Sequence, residues 1–148
     1  GVSLKFLNAF DISASGMTAQ RLRMDVISNN LANVNTTRTP QGGPYRRQMV
    51  IFEARTPSKG NFKDLLSAYM EGEGGVRVKA IREDTSPFKR VYDPGNPDAD
   101  QDGYVNMPNV NVVSEMVDMI SATRAYEANV SAVEATKSMA MKALEIGR

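Results

Sequence analysis

Hydrophobic residues recur every seven positions near the start of the chain. Phe10, Met17, Met24 and Leu31 stand on strict heptad spacing, with Ala14, Ile27 and Val34 filling the adjoining stripe. That is the period of an amphipathic helix. Asp11, Ser13 and Ser15 offer caps for its start, and the run NNLANVNTTRTPQGGP, rich in Asn, Thr, Gly and Pro, removes helical preference at its end. The spacing predicts a helix from near Ile12 to Val34, about 35 Å long at 1.5 Å per residue.

The pattern returns at greater length toward the other end. Steps of four and three from Val112 reach Met116, Met119, Thr123, Tyr126, Val130, Val133, Lys137, Ala140 and Leu144, and Val113, Val117 and Ile120 add a second row. Asn109 or Asn111 can cap the beginning, Gly147 stands where the helix would stop, and no proline interrupts, so a helix of about 50 Å is predicted. One stripe facing one partner helix leaves so long an element marginal. The second row and the alanines 122, 125, 128, 132 and 135 point to contacts on several faces, and hence to neighbouring chains. On periodicity alone a monomeric antiparallel helical hairpin remains the rival reading.

Between the helices the period changes to two. PYRRQMVIF and GVRVKAI alternate in the manner of strands. Turn formers at Gly42-Gly43-Pro44, from Gly72 to Gly75, and along Asp93-Pro94-Gly95-Asn96-Pro97 break up the rest. Phe62, Leu65, Leu66 and Tyr69 fit either a short helix or a buried strand. The predicted fold is α+β: paired, coiled-coil-like N- and C-terminal helices (1–36 and 110–148) around a small β-rich or irregular middle insert (37–109).

Composition narrows the chemistry. With 41% apolar and 24% charged residues in 148, the chain folds, and it is too short for two full domains. There is no cysteine and no histidine, which removes thiol nucleophiles, disulfides, Cys/His zinc sites and Ser-His-Asp triads. No cofactor is expected. Eighteen basic residues against seventeen acidic leave a net charge of +1 with signs interspersed, so nucleic acid is not an expected partner. No run approaches the roughly 18 apolar residues of a membrane span, and the apolar stretch of GVSLKFLNAFDISASG is broken by Asn8 and Asp11, unlike a secretory leader.

One stretch resembles a metal motif. In DADQDGYVNMPN, Asp98, Asp100 and Asp102 alternate ahead of Gly103, as in the EF-hand loop. Position twelve is Asn109 where a bidentate Glu is needed, and Pro94, Pro97 and Pro108 are incompatible with the flanking helices. Carboxylates making local Asx-type bonds in a tight turn are the preferred reading, and no metal site is assigned. A calcium-binding helical-hairpin module is the alternative function, and an Asp/Glu hydrolase a weaker third. Gly72 to Gly75 lack the Gly-Lys-Ser/Thr of a phosphate loop. Glu115 and Asp118 read as a solvated carboxylate face, and Arg124 with Glu127 as a solvated pair.

Longer signatures say more. SGMTAQRLRMDVISNNLANVNTTRTP (15–40) and VNVVSEMVDMISATRAYEANVSAVEATKSMAMKALEIGR (110–148) resemble the terminal signatures of the flagellar rod and hook axial proteins. The stretch from Gly75 to Asn111 resembles the middle segment of the family's proximal-rod members. The resemblance implies a non-enzymatic, self-assembling subunit of the basal-body rod that crosses the periplasm. Its partners would be further copies and other rod proteins. It would be exported by the flagellar type III apparatus without a cleavable signal, and would not insert into the membrane. The implied assembly interface comprises Phe10, Met17, Met24, Ile27, Leu31 and Val34 on the first helix. On the second it comprises Met116, Met119, Ile120, Arg124, Tyr126, Glu127, Val130, Val133 and Leu144. Asn29, Asn30 and Asn33 serve either as a capped helix end or as amides bonding an adjacent subunit.

Overall fold

The first helix, α1, runs Val2–Ala32, ten residues earlier than its heptad spacing predicts. No proline and a single glycine lie within it, so nothing breaks the backbone ladder. A computed structural model describes residues 2–55, 62 and 74–147. Strands β1 (Gln48–Ala54) and β2 (Val76–Glu83) pair in one two-stranded sheet, and β3 (Lys89–Tyr92) and β4 (Tyr104–Met107) in another. The second long helix, α2, is Val112–Ile146. Among the described residues, two long helices and four strands in two small sheets give the expected α+β class. Apart from Phe62, the segment for which sequence leaves helix and strand both open lies outside the described residues.

The expected caps of α1 lie inside it and do other work. Asp11 receives Nη2 of Arg55 at 2.7 Å. Ser15 Oγ donates to the Ile12 carbonyl at 2.6 Å and accepts the Val76 amide at 3.1 Å, so its hydroxyl is satisfied in mid-helix by the first residue of β2. The end of α1 behaves as its composition suggests. Asn33 donates through Nδ2 to the Asn29 carbonyl, and the Thr36 hydroxyl closes onto Asn33 Oδ1. At the start of α2, Asn111 is the cap, its Oδ1 accepting the Ser114 amide at 3.0 Å.

The chain divides into two compact units, one from residues 1–22, 52–79 and 122–148 and the other from 23–51 and 80–121. In the first, α1 and α2 approach closely where Gly16 faces Asn129: a Cβ on Gly16 would stand 2.6 Å from the Asn129 amide oxygen. Ala19 and Ala122 are buried in the same unit, and small residues of this kind let backbones come near. In the second unit Val26, Ile27, Val105, Pro108 and Val110 are buried. Here β3 and β4 form an antiparallel hairpin in which Lys89 pairs with Met107 and Tyr92 with Tyr104. The rings of Tyr92 and Tyr104 meet edge to face at 5.3 Å. Gly103 has φ +85° and lies 2.9 Å, by its would-be Cβ, from the Tyr92 ring, so both conformation and space demand glycine.

Candidate functional site

The second unit holds a buried polar cluster built from three parts of the chain. Asn30, on the last turn of α1, is 1% exposed. Its Oδ1 accepts the Gln48 amide at 3.0 Å and the Tyr45 hydroxyl at 2.6 Å. Its Nδ2 donates to the Gln48 carbonyl at 2.9 Å and to Glu115 Oε2 at 3.2 Å. An amide side chain offers two donor and two acceptor positions, and all four are used. By pairing with both backbone groups of Gln48, Asn30 takes the place of a neighbouring strand at the start of β1.

Glu115, in the first turn of α2, is also 1% exposed. Besides Asn30 it accepts Nε of Arg47 through Oε1. Arg47 spreads its remaining nitrogens to Asp84 at 3.1 Å and Asp118 at 3.7 Å. Its backbone amide donates to Asn109 Oδ1 at 2.7 Å, and Asn109 Nδ2 in turn donates to the carbonyls of Asp84 and Ser86. Burial by itself pulls the Arg47 pKa down, but the hydrogen bond and charge of Glu115 and then those of Asp84 outweigh it, so the guanidinium is held protonated. Burial pushes the Tyr45 phenol up against the lowering hydrogen bond from Asn29, and the charges of Glu115 and Glu83 push it further. Tyr45 therefore stays a neutral donor to Asn30.

Several expectations change here. Glu115 is not part of a solvated face: Arg47, 68 residues away, neutralises it inside the protein, and Asp118 alone of the two carboxylates keeps substantial access to water. Among the interface residues read from sequence, Ile27 and Asn30 are buried. Phe10, Met17, Met24, Leu31, Asn33, Val34, Met119, Tyr126 and Val133 are half-buried. Asn29, Met116, Ile120, Arg124, Glu127, Val130 and Leu144 are exposed. Sequence missed the part played by Tyr45, Arg47 and Asp84, whose only local signal is their position in a strand-like or turn-like stretch, and Asn109, a cap candidate in sequence, instead bonds Arg47, Asp84 and Ser86.

The aspartate run is the connector of the β3–β4 hairpin. Asp100 makes the Asx-type turn expected of it, accepting the amides of Asp102 and Tyr104 on Oδ1, and it also takes Arg90 on Oδ2. Asp98 departs from the local reading. Its Oδ2 accepts the Thr37 hydroxyl at 2.7 Å and its Oδ1 the Arg38 guanidinium at 2.6 Å, so it ties the hairpin to the stretch after α1. These bonds hold the Asp98 carboxyl below its ordinary pKa, Thr37 first and Arg38 second. Hydrogen bonds from the Tyr104 and Asp102 amides and the Arg90 charge do the same for Asp100. Ser86, through its hydroxyl and then its amide, lowers Asp84 with help from Arg47.

A pKa depressed in the folded state contributes stability above the unfolded value, near 3.9 for Asp, and loses it as pH falls through the lower folded value. Urea unfolding midpoints are therefore expected to hold from neutral pH down to about pH 5 and to drop below about pH 4. Asp98→Asn should make that drop shallower. An unchanged acid limb would show that the Asp98 tie contributes nothing.

Two long helices are tied to a small insert by a buried polar cluster whose Asn30 and Glu115 spend their polar atoms on Gln48, Tyr45, Arg47 and each other, the arrangement of a packing protein. The family description "Flagella basal body rod protein" matches residues 10–38, and "Flagellar basal body rod FlgEFG protein C-terminal" matches 101–146. The chain is 52% identical to the flagellar basal-body rod protein FlgC of Bacillus subtilis, over 95% of this chain and 97% of the relative. It is 53% identical to FlgC of Borreliella burgdorferi over 94% and 95%, and 42% identical to that of Salmonella typhimurium over 98% and 100%. The chain belongs to the FlgC family of flagellar basal-body rod proteins. It is a structural subunit of the rod, placed in the flagellar basal body and assembling with other rod components.

Proposed function

We propose that the chain carries torque mechanically, by packing its two helices against those of further copies and of other rod proteins in a tube that crosses the periplasm. One observation carries this reading. On the first turns of α2, Val113, Met116, Val117 and Ile120 are 71%, 55%, 59% and 60% exposed, on the side of the helix away from buried Glu115. A contiguous apolar row left open by a single chain marks a surface that another protein covers. The half-buried heptad residues Phe10, Met17, Met24 and Leu31 and the exposed Val130 and Leu144 extend the interface along both helices. The chain has no catalytic role of its own in this reading, and it reaches the rod through the flagellar type III apparatus. No helix among the described residues is long and apolar enough to cross a membrane.

Replacing Val113 and Ile120 together by Asp tests the surface. Both side chains are exposed, so circular dichroism of the purified double variant should match the parent. In cells whose only copy is this variant, charges placed where desolvation is required should prevent incorporation into basal bodies and abolish swimming. Val130→Asp should act in the same direction. Normal swimming with normal basal bodies would take these rows out of the interface.

A further inference from the structure

The buried cluster stands where an apolar seam would serve stability as well or better. Buried ion pairs commonly add little to stability, because desolvation cancels most of the attraction, and well-packed apolar replacements are often neutral or favourable. We infer that Arg47, Glu115 and Asn30 are positioning residues that set the register of α1 against α2 and seat β1 upon that register. They specify the pairing and leave its strength to the apolar contacts.

The heptad stripes by themselves discriminate poorly between registers. Met17, Met24 and Leu31 on α1, and Met119, Tyr126 and Val133 on α2, repeat at intervals of seven. A shift of one heptad therefore presents apolar to apolar again, and flexible methionine side chains adapt to either partner. The cluster has no such repeat. A shifted α2 carries Glu115 away from Arg47 and Asn30, leaving a buried carboxylate without its cation and an Asn30 proton without its acceptor. Because Asn30 also pairs with both backbone groups of Gln48, the same residue that reads α2 fixes where β1 begins. A single buried polar position is known to choose register in coiled coils at a cost in stability, and this cluster has the matching arrangement.

The absence of cysteine from the chain makes disulfide trapping a clean readout. Val26 and Met119 lie one turn from Asn30 and Glu115 along their helices, and Val112 and Tyr126 are the positions one heptad either side of Met119. Three double-cysteine versions, 26 with 119, 26 with 112 and 26 with 126, would be oxidised in the full chain and again in the full chain carrying Arg47→Met and Glu115→Met. With the cluster intact, the 26–119 bond should exceed the others roughly tenfold or more, as a preference of about 1.4 kcal/mol gives. With both replaced by Met, helicity should be retained and the two shifted bonds should rise to within about threefold of it.

Exclusive 26–119 bonding in the Met/Met chain would overturn the inference. So would a loss of helicity in that chain as large as in Arg47→Met alone, since the cluster would then be a source of stability instead of register. Neither result bears on the outer surface of α2, so the inference and the proposed function stand or fall separately.

Discussion

Asn30→Asp is expected to destabilise the chain by about 3–5 kcal/mol, the cost of leaving a buried charge uncompensated. The substitution barely alters shape. It removes both protons that Nδ2 gives to the Gln48 carbonyl and to Glu115, and it sets a carboxylate against another carboxylate and the negative end of a carbonyl dipole. At 1% exposure there is no water to screen the repulsion. Urea unfolding followed by circular dichroism gives the measurement. Asn29→Asp supplies the control: Asn29 is exposed, its side chain donating to the Tyr45 hydroxyl and accepting from Asn33, so its change should stay within about 1 kcal/mol. Equal effects at the two neighbours would mean that the cluster is not closed to solvent.

Arg47→Met should cost a similar amount, about 3–5 kcal/mol, because it strips the cation from Glu115 while the carboxylate stays buried. Adding Glu115→Gln to that variant should return a large part of the loss. A neutral amide needs no counter-charge and can still accept from Asn30, so the second change is stabilising only where the first has been made. This non-additivity distinguishes a coupled pair from two independent contacts, and a double-mutant cycle in urea measures it. If Glu115→Gln is equally costly in both backgrounds, Arg47 does not act through Glu115.

Part of the site is legible in sequence and part is not. Asn29 and Asn30 are adjacent, identical in type and equally placed in NNLANVNT, yet one faces water and the other is sealed against Gln48. Helix periodicity cannot separate them, since the partners that bury Asn30 lie 18 and 85 residues away. Glu115 misleads for the same reason. Three residues from Asp118 on one helix, it has the local look of a solvated face, and Arg47 in the insert reverses that. The hairpin of β3 and β4 was hidden differently. Four-residue strands that are mostly exposed carry too little alternation to stand out beside the turn residues between them.

The two long helices, the α+β class, the exclusion of thiol and imidazole chemistry and the resemblance to the rod family are legible in the one-dimensional chain. Those features rest on local spacing, on residue types, and on signatures read along the chain. Long-range packing settled which polar residues go inside. It turned Ser15 and Asp11 from caps into docking points for β2 and Arg55, sent Asp98 to Thr37 and Arg38, and closed Asn30, Arg47 and Glu115 into one cluster. A polar group can be buried only where a distant partner compensates its lost hydration, and no short-range pattern records where that partner will be.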